Sequence, residues 1–173
     1  NYFIDHGKFY ASFSKGVRSG GYNMQMFSEI IQQSFRTEEF TQEQVNEQIS
    51  YSPEWSLNYE IGSHFTLFNG ILTSDVALFF ISTHNQQISR FTPQGLGRIL
   101  VNAGRSRSLG SELSMQIRPS ERLMMNLNYG YTNATFTHND GGFASNGQHT
   151  DYKGNHIPFA PEHTINIGAQ YIL

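Results

Sequence analysis

Cysteine is absent from the 173-residue chain, proline occurs five times, and charged residues make up only 14% of the composition. The lack of cysteine excludes disulfide frameworks, zinc sites with thiolate ligands and cysteine nucleophiles. Charged residues are well below the ~25% that is typical of soluble domains. With 11 basic against 14 acidic residues and a net charge of −3, the chain also lacks the positive charge that predicts nucleic-acid binding.

Long hydrophobic runs are missing as well. The longest purely apolar run is VALFFI at residues 76–81, far short of the ~20 residues of a membrane-spanning helix. The sequence therefore predicts neither such a helix nor a signal peptide. The chain begins Asn1-Tyr2-Phe3-Ile4 without an initiator Met, and we interpret it as a piece of a longer protein.

What the sequence does contain is a period of two in hydrophobicity. In residues 123–136 the odd positions from Leu123 to Tyr131 are apolar or aromatic, whereas the even positions are mostly small and polar. Such alternation predicts half-buried β-strands. The pattern predicts six strands, at residues 9–18, 58–68, 71–84, 108–118, 123–136 and 164–173.

The predicted connections alternate between short and long. Asn69-Gly70 is the preferred pair for a type I′ hairpin turn, and Pro119 marks a second tight turn at residues 118–121. Long connections lie at residues 19–53, 85–97 and 138–162, and the first of them is rich in helix formers between Met24 and Ile49. Short turns at one end and long loops at the other are typical of outer-membrane barrels.

The chemistry of the two strand faces leaves two all-β architectures open. A soluble β-sandwich alternates too, but its outer face usually carries many charges; here the polar face holds mainly Asn, Gly, Ser, Gln and Thr. This favours a barrel whose apolar face meets lipid, with Trp55, Tyr59, Tyr129 and similar residues as interfacial anchors. Six strands are too few to close a barrel, so we expect part of a larger one.

Four segments resemble the C-terminal part of the barrel of TonB-dependent outer-membrane receptors. They follow the family's order and cover most of the chain. The segments are residues 10–23 (YASFSKGVRSGGYN), 53–69 (PEWSLNYEIGSHFTLFN), 101–118 (VNAGRSRSLGSELSMQIR) and 154–171 (GNHIPFAPEHTINIGAQY), of which the last two are the more specific. No plug domain and no TonB box is recognised within the 173 residues.

The resemblance implies a fold, a function and partners. The expected fold is all-β, an antiparallel meander of hairpins across residues 1–173 that forms one segment of a transmembrane β-barrel. The implied function is capture and import of a scarce nutrient, such as a ferric siderophore or a glycan, across the bacterial outer membrane. The implied partners are outer-membrane lipid, the small-molecule nutrient, and the TonB complex, which acts through a plug domain. Nucleic acid is not expected as a partner.

Candidate ligand residues lie towards the long-loop end: Arg18, Tyr22, Arg105 and Arg107. The arginines suit an anionic ligand such as a ferric siderophore; the alternative is that lumen water solvates them or that they pair with Glu60 or Glu112. Glu60, Gly62, Gly110 and Glu112 are expected on the lumen side, where small residues allow close approach of a plug or backbone.

No other chemistry stands out in the sequence. The seven histidines lack the close spacing of a metal motif, and no nucleophile elbow is present. We therefore expect neither an enzyme nor a bound metal or cofactor. The alternative function is a soluble β-sandwich that recognises a glycan or a protein.

Overall fold

The computed structural model describes residues 4–24, 49–91, 98–102, 104–143 and 149–173. These residues form β-strands almost throughout, and the alternation of side chains described above accounts for them. The strands are β1 (Ile4–Arg18), β2 (Gly21–Tyr22), β3 (Ser50–Tyr51), β4 (Glu54–Leu67), β5 (Leu72–His84), β6 (Gln87–Phe91), β7 (Arg98–Asn102), β8 (Gly104–Ser120), β9 (Leu123–Phe143), β10 (His149–Asp151) and β11 (His163–Tyr171).

The six predicted strands form one antiparallel sheet. Its order is β1-β4-β5-β8-β9-β11, and the short β10 pairs with the far end of β9. Every long strand lies next to its neighbour in the chain, which confirms the predicted meander. In the described part of the chain β1 and β11 are the two edges, so the sheet is open.

Short and long connections lie at opposite ends of the sheet, as predicted. At one end Ile71 N–H donates to Phe68 O at 3.3 Å, and the two central residues of this turn, Asn69 and Gly70, both have positive φ. This is the backbone that an Asn-Gly pair favours. The second tight turn lies between Ser120 and Leu123. All three long connections lie at the other end.

Two details of the long connections differ from a simple extension of the strands. The strands β6 and β7 pair with each other in a ribbon separate from the main sheet, rather than lengthening β5 and β8. The stretch rich in helix formers between Met24 and Ile49, which suits either a short surface helix or a solvated polar loop, falls on residues 25–48, outside the described residues. Within the described residues, no helix has the length and hydropathy needed to cross a membrane.

The apolar face of the sheet, which carries Phe9, Leu78, Leu109 and Ile167, has no second layer over it in the described residues. Ile167 is 72% exposed and Phe9 is 79% exposed, and large apolar side chains elsewhere on this face are similarly open. Exposed apolar area of this extent is rare on soluble monomers. A sandwich would bury these side chains, so the exposure favours the barrel over the sandwich.

The apolar stretches have the length of membrane-crossing strands. On β1, β8 and β9 they run over residues 9–17, 109–117 and 123–131, nine residues each. Spanning strands need about 9–11 residues when tilted by about 45°. Lys15 interrupts the stretch on β1, but its Nζ lies 5.4 Å from the centre of the Trp55 ring. Its ammonium group is therefore close to an aromatic face, and its aliphatic stem can lie along the apolar face of the sheet.

The register between strands gives the tilt independently. Phe9, where the apolar stretch of β1 begins, lies in one row of directly opposite residues with Tyr129 on β9; Ser63, Val76 and Leu113 complete the row. The apolar stretch of β9, however, begins six residues before Tyr129, at Leu123. Six residues span about 20 Å along a strand and four strand spacings span about 19 Å, so the apolar band crosses the strands at about 45°. This matches the tilt of transmembrane barrel strands.

Substituting Leu78 by Arg tests which face meets lipid. Leu78 is apolar-facing near the middle of β5, and its side chain is 51% exposed. In the intact receptor Leu78→Arg should destabilise the barrel by about 2–4 kcal/mol, the cost of a buried arginine on the lipid face. The measurement is guanidinium unfolding in liposomes.

The matched control is the adjacent Ala77→Arg, which points to the other face beside Glu112. It should cost much less than Leu78→Arg. Equal costs for the two variants would contradict the assignment of faces.

Candidate functional site: the polar wall and the long-loop mouth

The polar face of the sheet, opposite the apolar face, holds the acidic residues of β4, β5 and β8. They are Glu54, Glu60, Asp75 and Glu112, and none of them shares a face with the apolar stretches. Since transfer of a carboxylate into hydrocarbon is costly, this segregation fits a wall with lipid on one side and a wet cavity on the other.

Two polar contacts order the middle of this wall. The Tyr10 hydroxyl donates to Glu60 Oε1 at 2.8 Å, and His64 Nδ1 lies 2.6 Å from Asp75 Oδ1. Both pairs join neighbouring strands across the polar face. Glu60 and Asp75 thus each have a polar partner on a neighbouring strand.

Two glycines of the polar wall are covered by aromatic rings from adjacent strands. The Tyr10 ring lies over Gly62, where an added Cβ would come within 2.5 Å of ring carbons, and the Phe79 ring lies over Gly110, where a Cβ would also collide with Tyr131 O. The predicted small residues of the wall thus make room for neighbouring rings. The aromatic Phe79, which interrupts the polar pattern of β5, is accommodated in this way.

The aromatic residues expected as interfacial anchors lie on the apolar face. Trp55 stacks on His84 with ring centres 3.9 Å apart, and the Tyr129 hydroxyl lies 2.9 Å from His163 Nδ1. Tyr59 packs against Phe13 at 5.0 Å. Such pairs combine an apolar body with a polar tip, as membrane interfaces favour.

The four candidate ligand residues all lie towards the long-loop end, but on different faces. Arg18 is on the polar face and directly opposite Glu54, and Tyr22 lies in β2 with 64% of its surface exposed. Arg107 lies directly opposite Ser82 in the ladder between β5 and β8, on the same face as Leu109. The alternation of side chains along β8 places Arg105 on that face too. The structure thus does not bring the four together.

Among the described residues, none of the three arginines forms an ion pair with Glu60 or Glu112. Glu54, directly opposite Arg18, accepts the backbone N–H of Gln87 at its Oε2 at 2.6 Å. Arg18 is exposed at the edge of the polar wall.

Sequence reasoning missed three amide side chains that join the long connections. They are Asn23 on the first connection, and Gln87 and Asn102 on the second. Each side chain forms a hydrogen bond with the backbone of the other of these two connections. Their partners lie far away in the sequence, so no local pattern marks them. The one available signal is that amides cluster around predicted strand ends.

A metal centre has no support in the described residues, where no group of three or more His, Asp or Glu side chains converges. His156 Nε2 lies 3.2 Å from Glu162 Oε1 on the third long connection. This is a single exposed pair.

Residues 1–173 match the family model described as TonB dependent receptor-like, beta-barrel. The chain belongs to this family. The family is one of transport receptors rather than enzymes, and its members are outer-membrane barrels. The membrane nature of the apolar face follows from that membership.

Solved receptors share the fold of this segment of the TonB-dependent receptor barrel. The ferric yersiniabactin uptake receptor FyuA from Yersinia pestis has a TM-score of 0.64 at 19% identity, over 98% of this chain and 21% of its own. The siderophore receptor PiuA from Acinetobacter baumannii has 0.64 at 21%, over 96% and 22%. The RagAB peptide transporter has 0.53 at 14%, over 79% and 16%. The chain thus spans about a fifth of the length of these proteins.

Changing Gly62 to Ala tests the packing of the polar wall. The new Cβ would displace the Tyr10 ring from its position over residue 62 and break the hydrogen bond between the Tyr10 hydroxyl and Glu60. We expect a loss of about 1–2 kcal/mol in stability of the intact receptor, measured by thermal unfolding in detergent.

The double variant Tyr10→Ala with Gly62→Ala separates this contact from a general effect. With the ring gone, Gly62→Ala should add little further cost, so the two changes are non-additive. Full additivity would show that Tyr10 is not the group that Gly62 accommodates.

Proposed function

We propose that this chain is one segment of the barrel wall and outer mouth of a receptor in the bacterial outer membrane. The whole receptor captures a scarce nutrient and imports it with energy from the TonB complex. The observation that carries this proposal is the pair of opposite faces: an apolar band of spanning length and tilt on one, and all the carboxylates of the central strands on the other. The family membership of residues 1–173 supports it.

The polar wall is the surface that we assign to the plug, through which the TonB complex acts. Glu60, Asp75 and Glu112 offer carboxylates to cationic or hydrogen-bonding groups. Gly62 and Gly110, on the same face, are covered by the rings of Tyr10 and Phe79. Energy coupling in this picture belongs to the whole receptor, and these residues supply its stationary partner surface.

Ligand capture is assigned to the long-loop end, with a ferric siderophore as the favoured cargo. Arg18 is the strongest of the candidate residues, because it is exposed and lies on the polar face at the long-loop end. Tyr22 is exposed on the first connection. Arg105 and Arg107 share the face of Leu109, so we assign them a lesser role in meeting ligand.

A peptide is the second candidate cargo. The RagAB structures, which resemble this chain over much of its length, are described as a peptide transporter and importer. A glycan remains a third cargo class. A soluble glycan- or protein-binding sandwich is disfavoured, because the apolar face has no covering layer in the described residues.

Replacing Arg18 by Gln should weaken capture of an anionic cargo. Loss of a charge-assisted hydrogen bond to a ligand corresponds to about a ten- to hundredfold loss of affinity. The measurement is binding of a panel of ferric siderophores and short peptides to the intact receptor, with growth on limiting iron as the second readout.

Arg107→Gln is the matched control, because it removes the same charge at the same end but on the apolar face. Because Arg107 is assigned the lesser role, Arg107→Gln should weaken binding of each cargo much less than Arg18→Gln does. Loss with Arg107→Gln and none with Arg18→Gln would overturn the assignment of the ligand side. Failure of every siderophore, with binding of peptides, would replace the favoured cargo by the second.

A further inference from the structure

The first and second long connections meet at the rim of the sheet. The described parts of the first connection are residues 19–24 and 49–53, and those of the second are residues 85–91 and 98–102. Within the first connection β2 and β3 pair over only two residues. So short a ladder needs other partners for its peptide groups.

Asn23 supplies the outermost link. Its Nδ2 donates to Leu100 O at 2.7 Å and its Oδ1 accepts the Leu100 N–H at 2.8 Å. The side-chain amide thus pairs with the peptide of a residue on the other connection in the way that a β-strand would. Asn23 N–H itself donates to Ile49 O at 2.6 Å, which ties the link to both halves of the first connection.

Gln87 supplies a link beneath this one, and only 8% of its surface is exposed. Its Nε2 donates to Ser19 O at 2.9 Å and to Ser52 O at 3.1 Å, one acceptor on each half of the first connection. Its backbone N–H donates to Glu54 Oε2. Gln87 thereby joins both connections to the top of β4.

Asn102 completes the set from the other strand of the ribbon. Its Oδ1 accepts the Ser52 N–H at 2.6 Å, and its Nδ2 donates to Ser52 O at 2.9 Å and to Asn85 O at 2.7 Å. A carboxylate at this position would keep the first bond and lose the other two, since it has no donor.

We infer that Asn23, Gln87 and Asn102 form an amide clamp that holds the described parts of the first and second long connections, residues 19–24 and 49–53 with residues 85–91 and 98–102, as one rigid unit on the receptor rim. The Asn23 and Asn102 side chains both donate and accept, whereas the Gln87 side chain donates to two carbonyl groups. All three bridge peptide groups of the two connections and carry no charge themselves. The bonds of the three side-chain amides therefore do not depend on salt or on the titration of a carboxylate; the bond from Gln87 N–H to Glu54 Oε2 is the part of the clamp that involves one.

Hydrogen–deuterium exchange of the intact receptor in nanodiscs tests the clamp without any ligand. Asn102→Ala should speed exchange about tenfold or more in β2 and β3, beyond the Ser52 amide that it contacts directly. Reciprocally, Asn23→Ala should speed exchange through β6 and β7, beyond the Leu100 amide that it contacts directly. Asn102→Asp should give an intermediate effect, and it provides a second variant if Asn102→Ala does not assemble.

Asn128→Ala is the control, because this amide lies on the polar wall away from the connections and its contact with Asn166 is long, at 3.5 Å. It should leave exchange in both connections unchanged. If each clamp variant changes exchange only at its own bonded amides, the two connections move separately and the inference is wrong. The test does not depend on the cargo, so its outcome is distinct from the fate of the proposed function.

Discussion

The whole structure depends on pairing every backbone group in a sheet whose two faces meet different solvents. In hydrocarbon an unpaired peptide group has no substitute partner, so long strands must lie next to each other in continuous ladders. Side chains of one parity then touch lipid and those of the other parity touch water. In this chain that single constraint places Leu78 and Leu109 on one face and Glu60 and Glu112 on the other.

The two ends of the sheet differ in the length of their connections and in the groups that these connections expose. At the short-turn end, Asn69 and Gly70 adopt a tight left-handed turn that reverses the chain with no added surface. At the other end the long connections carry the exposed groups suited to a ligand, and amide side chains tie two of them to the rim. The polar wall below presents ordered carboxylates, with Tyr10 and His64 as their partners. The residues that we propose for ligand capture and those that we propose for contact with the plug are thus separate residues of one sheet.

Local patterning was enough to predict the six strands, their order and the two classes of connection, because side-chain parity and Asn-Gly turns are properties of neighbouring residues. The predicted strands were too short. For example, β9 continues beyond residue 136 to Phe143, although the sequence there is already polar, because pairing with β8 and β10 stabilises this extension. The alternation of side chains along β8 already places Arg107 on the same face as Leu109. Its position near a long loop nevertheless led to the prediction of a ligand role. The clamp was beyond prediction, because Asn23 and Leu100 lie 77 residues apart and meet through a side chain that no pattern singles out.

A nitroxide scan along β9 tests the central claim most directly. With the intact receptor in bilayers, spin labels at positions 123 to 132 would be probed in turn with oxygen and with a water-soluble nickel chelate. The account predicts that oxygen collisions peak at Met125, Leu127 and Tyr129, while nickel collisions peak at Asn126 and Asn128, in strict alternation. Equal accessibility of Leu127 and Asn128 to both reagents would contradict it.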